Sequence, residues 1–157
     1  MVTVKSKLND LSIYQKRILD LASINKKSVE LKEFNVSKEL KNPLCGDVVN
    51  IRLNLINNQI QDLSAKVRGC ALCEASAGLV VNYFTNENLP IKNFMEHFDN
   101  WLLNKNMEFP KQLPQELKIF LPIQDVKNRH VCMQNQIIII ALSTMKASDQ
   151  ERYWPFR

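Results

Sequence analysis

Residues 45–70 read CGDVVNIRLNLINNQIQDLSAKVRGC. Val49, Ile51, Leu53 and Leu55 alternate with Asn50, Arg52 and Asn54, which turns one row of side chains toward a core and the other toward water. Asn57-Asn58 suits a tight turn. Leu63, Ala65 and Val67 then resume the alternation, so residues 60–67 are expected to return as a second strand. An antiparallel hairpin brings its two ends together. Cys45 stands just before the first strand and Cys70 just past the second, so Cys45, Asp47 and Cys70 are expected to be neighbours.

Upstream, residues 8–22 carry Leu11, Tyr14, Ile18 and Leu21 at helical spacing, with Asp10 or Ser12 as the expected cap. Residues 28–34 alternate weakly and read as a short strand. Asn42-Pro43 and Gly46 are turn signals that put Cys45 and Asp47 on a loop. Downstream, residues 71–84 are rich in small and apolar side chains and read as a buried helix that Pro90 ends. Residues 91–105 place Ile91, Phe94, Met95, Phe98, Trp101 and Leu102 on one stripe, an amphipathic helix. Pro110, Pro114 and Pro122 leave residues 106–125 to turns and at most a short helix. A last buried helix is expected from near Arg129 to about Lys146, followed by a flexible or docking tail at 148–157. No repeat or linker interrupts the chain. The expectation is a single α+β domain over 1–157, a small antiparallel sheet with helices packed against it.

The chain has 157 residues, 45% hydrophobic and 24% charged, with three glycines and six prolines. That suits a helix-rich or α+β domain, and at about 150 residues the core needs no staple. The longest apolar run, Ile137 to Leu142, is too short to span a membrane, and the N-terminal MVTVKSKLND lacks the apolar stretch of a signal peptide. The expected compartment is the reducing cytoplasm, where cysteines serve as metal ligands or reactive thiols more often than as disulfides. The net charge of +5 is spread along the chain, with Lys26-Lys27 its densest point. No nucleic acid or membrane partner is therefore expected.

The four cysteines, Cys45, Cys70, Cys73 and Cys132, have no histidine at ligand spacing. Cys45-Gly46-Asp47 sets a thiolate and a carboxylate two residues apart, with glycine allowing both to turn toward one ion. Cys70 and Cys132 each precede or open an expected helix, whose N-terminus favours the thiolate. Three sulfurs and one oxygen make a tetrahedral zinc set, or a set for iron with one weaker ligand. Cys70-x-x-Cys73 is also a zinc-knuckle or redox spacing. On spacing alone a four-cysteine site with Cys73 stands level with one using Asp47, and a buried cysteine is most often a small hydrophobe.

The motifs carry more than the spacing. Asn42-Pro43-Leu44-Cys45-Gly46-Asp47 resembles the first signature of the NifU N-terminal, IscU and SufU proteins. Gly69-Cys70-Ala71-Leu72-Cys73-Glu74-Ala75-Ser76-Ala77 resembles their second, and Arg129-His130-Val131-Cys132 their third. Ile13 to Asp20 is similar to the family's first helix. Cys73 and Glu74 depart from the family's small-residue helix. Cys70 and Cys132 lie 62 positions apart, a separation resembling SufU, which carries an insertion there, and Arg129 stands where SufU proteins place an arginine.

The resemblance implies that Cys45, Asp47, Cys70 and Cys132 are the metal ligands. It implies a bound Zn2+, with Cys45 accepting sulfur from a cysteine desulfurase of the SufS type and Arg129 steering or neutralising the freed thiolate. The chain would act as a zinc-dependent sulfurtransferase passing sulfur to downstream iron–sulfur assembly proteins. The IscU-like alternative is a scaffold on which iron and a transient [2Fe–2S] cluster are assembled. A structural zinc domain used only for protein binding is the third. His130 is a candidate to support the metal from behind its ligands.

Overall fold

The computed structural model describes residues 4–43, 45–57, 59–86 and 91–134. Helix α1 spans Val4–Lys27. It extends past both ends of the expected segment because no glycine or proline interrupts it, so Asp10 and Ser12 lie within it rather than capping it. Lys26 and Lys27 occupy its last turn, where cations complement the helix dipole.

Among the described residues the sheet has three antiparallel strands in the order β1-β2-β3: Val36–Lys41, Val48–Ile56 and Gln59–Arg68. The expected hairpin is present. Val49 pairs with Val67, Ile51 with Ala65 and Leu53 with Leu63. A bulge at Asn54/Leu55 and Asn57, at φ 51°, shape the turn.

The weakly alternating residues 28–34 are not a strand; the first strand is the segment after them. Their backbone is held by side chains instead of a ladder. Ser64 Oγ accepts the Leu31 N–H at 3.0 Å, and Arg52 donates to the Leu31 carbonyl at 3.0 Å while pairing with Glu30 at 3.1 Å.

Helix α2 (Ala71–Asn86) packs on β3, and α1 packs on α2. Gly78 lets that crossing close, since a Cβ there meets Asn25 Cβ at 3.2 Å. Buried Asn25 donates its side-chain amide to buried Glu74 on the same seam. Helix α3 (Ile91–Leu103) turns Phe94, Met95, Phe98, Trp101 and Leu102 into the core, as its stripe predicts.

Residues Gln115–Asp125 form an eleven-residue 3-10 helix, where turns and at most a short helix are expected. Pro122 lies inside it and denies an α-helical hydrogen bond, yet Leu117, Phe120 and Gln124 are still buried. A 3-10 turn at Lys127–Arg129 leads into helical residues 130–134. The remainder of the expected last helix and the tail lie outside the described residues. Among the described residues no helix is long and apolar enough to cross a membrane.

Candidate metal centre

The site lies at the open end of the hairpin. Val48 pairs with Arg68, so the ladder runs out with Asp47 beside Gly69. The contact is close: a Cβ at residue 69 would fall 2.5 Å from Asp47 Cγ. Glycine is the residue that lets the two strand ends converge there. The loop is closed by the Asn42 N–H donating to the Asp47 carbonyl at 2.7 Å and the Gly46 N–H donating to the Asn42 carbonyl at 2.8 Å. Gly46 adopts φ 77°, the left-handed conformation that glycine tolerates best.

Three donors converge here. One ligand atom from each of Cys45, Asp47 and Cys132 lies within 4.8 Å of the others. Cys132 Sγ is 3.9 Å from Asp47 Oδ2. Cys70 lies outside that group of three and reaches it from the other strand end: its N–H donates to Asp47 Oδ2 at 3.3 Å, and its sulfur accepts a hydrogen bond from Cys132. Cys70 also caps α2. Its carbonyl accepts the Glu74 N–H at 3.1 Å, and its sulfur accepts the Cys73 N–H. Cys132 comes from the helical residues 130–134, so the hairpin, α2 and the segment after the 3-10 helix each contribute a thiol.

The four thiols differ in setting. Cys45 is exposed and Cys70 half-buried, whereas Cys73 and Cys132 are fully buried. The hydrogen bond from Cys132, reinforced by the Cys73 N–H, outweighs burial and brings the Cys70 thiol down to about 7. Cys132 moves the other way, pushed up by its bond to Cys70, by burial and by the charge of its neighbours. The hydrogen bond between the two sulfurs thus favours the thiolate on Cys70 and the thiol on Cys132. Exposed Arg129 bonds the Cys132 sulfur and lies in the field of Cys70 and Cys45, which holds its guanidinium above its already high range.

Two placements were not legible in the sequence. Asn42 is completely buried, and its side-chain amide faces Cys132 Sγ at 3.8 Å while its backbone ties the loop. The Asn42-Pro43 turn signal points to the loop and not to the sulfur. His130 has a structural bond, its Nε2–H donating to the Ile123 carbonyl at 3.0 Å. Cys73 lies in the hydrophobic core and outside the group that converges.

The donor set fits a metal. Ligand atoms about 2.0–2.3 Å from a tetrahedral ion stand roughly 3.3–3.8 Å apart. A group already within 4.8 Å therefore needs only a small contraction to close. Asp47 is held by a backbone N–H, so its carboxylate is oriented before any ion arrives.

A model of the NifU-like N-terminal domain matches residues 13–107. The chain belongs to the NifU-like N-terminal domain family. The match includes Cys45, Asp47 and Cys70, while Cys132 and Arg129 lie past its end and meet the other three through the fold. Beyond the family model, the NifU-like chain is 27% identical over 135 residues to the iron–sulfur cluster assembly scaffold protein IscU of Thermotoga maritima, covering 85% of this chain and 90% of that one.

Two solved structures share the fold. A nitrogen-fixing NifU-like protein (N-terminal) from Brucella abortus has a TM-score of 0.66 and 24% identity, covering 93% of this chain and 95% of that one. A protein assigned as an iron–sulfur cluster assembly scaffold for the SUF system, from Fervidobacterium islandicum AW-1, has a TM-score of 0.69 and 20% identity, covering 82% and 94%. The expected α+β arrangement of the NifU/IscU type is thus the observed one.

Proposed function

We propose that this chain is a cytoplasmic iron–sulfur cluster assembly protein of the SufU type. Cys45, Asp47, Cys70 and Cys132 hold Zn2+, and Cys45 takes sulfur from a cysteine desulfurase of the SufS type for downstream assembly proteins. The reading rests on the uneven burial of the donors: Cys45 is exposed while Asp47 and Cys132 are buried. A persulfide carried by another protein can reach Cys45 without unpacking the core.

The Cys45 thiolate attacks the outer sulfur of that persulfide. A new S–S bond forms to Cys45, the donor's S–S bond breaks, and the donor cysteine leaves as a thiolate. No net oxidation occurs. Zinc, when bound, supplies a deprotonated thiol at neutral pH. Gly46 allows Cys45 to swing out while Asp47 stays fixed to the strand end. Arg129, at the solvent edge, balances the negative charge that the transferred sulfur brings.

The scaffold reading is favoured by the mixed set of three sulfurs and one oxygen, whose weakest member would release a [2Fe–2S] cargo, and by the name of the Thermotoga maritima relative. Elemental analysis of protein purified without added metal separates the two. The sulfur-acceptor reading expects about one zinc per chain, diminished in Cys45→Ser and Asp47→Ala. After incubation with a cysteine desulfurase and cysteine it also expects a mass gain of one sulfur on Cys45. Iron with matching acid-labile sulfide would support the scaffold instead. If Cys45→Ser stimulated the desulfurase as the wild type does, the acceptor role would be dropped.

A further inference from the structure

We propose that Cys70 and Cys73 are a redox pair whose disulfide withdraws Cys70 from the metal centre. Cys70 is the N-cap of α2 and Cys73 the third residue of its first turn. Cys70's sulfur accepts the Cys73 N–H, the bond an N-cap side chain makes to the third residue of a helix. The Cα–Cβ bond of a helical residue leans toward the N-terminus, so the Cys73 side chain lies over the turn that begins at Cys70. Residues three apart on a helix have Cβ atoms about 5–6 Å apart, against about 3.5–4.5 Å in a disulfide. Cys70 can close that gap, because as the cap it is not bound to helical dihedral angles.

The two thiols also divide the work by exposure. Cys70 is half-buried and open to a small oxidant, whereas Cys73 is fully buried. The oxidant class is a low-molecular-weight disulfide such as glutathione disulfide. Cys70 thiolate attacks one of its sulfurs and releases one glutathione thiolate. Cys73, losing its proton to that thiolate, then attacks the Cys70 sulfur and expels the second glutathione. Two protein thiols are oxidised to one disulfide, and one glutathione disulfide is reduced to two thiols. A Cys70 bonded to Cys73 carries no thiolate to donate, so one ligand is lost. That consequence rests on the zinc reading above; the disulfide itself does not.

The test uses the full chain, both zinc-loaded and metal-stripped, equilibrated across glutathione redox buffers. Disulfides are then mapped by non-reducing peptide mass analysis, and released zinc is followed with a chromogenic chelator. The expected disulfide joins Cys70 to Cys73 in both forms, and in the loaded form it appears together with zinc release. Cys73→Ser and Cys73→Ala should each resist zinc loss, shifting its midpoint by about tenfold or more in the oxidised-to-reduced ratio, and should stop at a mixed disulfide on Cys70. Mapping to Cys45–Cys70 or Cys45–Cys132 instead would overturn the proposal, as would either variant losing zinc at the wild-type midpoint. A chain that takes up no zinc yet forms Cys70–Cys73 would sink the zinc reading and leave the pair standing.

Discussion

At the scale of single residues the geometry of the centre depends on groups outside the proposed ligand set. Gly69 is the plainest. Alanine there would press its methyl into the Asp47 carboxylate, which is buried, short and already engaged by the Cys70 N–H. Gly69→Ala should cost about 1–3 kcal/mol by overpacking and, if the centre holds a metal as proposed, weaken its binding about tenfold or more through the displaced carboxylate. Urea unfolding and chelator competition check the two effects separately. Asn42 is a quieter case, joining loop closure and the Cys132 sulfur in one side chain and its backbone.

Asp99 brings in pH. Burial pushes its carboxyl up, partly offset by the Gln134 side-chain amide, which donates to Oδ1 at 2.9 Å, and by the nearby His130. A carboxyl raised on folding favours the native state in its protonated form, and that advantage is lost as pH rises through the folded value. Asp99→Asn keeps an acceptor for Gln134 without the buried charge. It should therefore raise Tm by about 1–4 °C at neutral pH. The gain should vanish in acid, which thermal melts from about pH 4 to pH 8 would read directly.

At the scale of elements, legibility followed burial contrast. The β2–β3 hairpin was readable because each strand alternates apolar and polar side chains over a full ladder. Strand β1 was not, because in VSKELK only Leu40 is buried, and its place comes from pairing with β2. The 3-10 helix was hidden by its prolines. α3 announced itself through its stripe, and α2 through its small residues. Of the site, the meeting of Asp47 with Cys70 across the two strand ends followed from hairpin geometry. The arrival of Cys132 depended on a fold spanning 62 positions that no local pattern encodes.

The α1–α2 seam makes its own prediction. Gly78→Ala asks Asn25 to give by a few tenths of an ångström. It regains about 1 kcal/mol of helix propensity, so its net effect should be small. Gly78→Leu has no such room and should cost about 1–3 kcal/mol. Denaturant midpoints of the two variants measure the difference.

At the scale of the whole molecule, a metal bound as proposed would tie three distant pieces of chain together. The hairpin loop, the start of α2 and residues 127–134 would share one ion, while the sheet and α3 hold their own core. Chelation should therefore lower Tm, since a ligand that binds only the native state stabilises it. Amide exchange should rise first at residues 42–47 and 127–134, with β2–β3 almost unchanged. A uniform rise across the sheet would mean that the metal supports the whole core.

The strand order has a consequence for the molecule in company. In the order β1-β2-β3, β1 takes β2 as its neighbour on one side. Among the described residues its other edge is bordered by charge, with Lys38, Glu39 and Lys41 within six residues and only Leu40 buried. A rim of that kind repels the strand of another molecule before backbone bonds can form. In crowded solution, edge-to-edge pairing through β1 is therefore expected to be disfavoured by the same polarity that hid the segment as a strand.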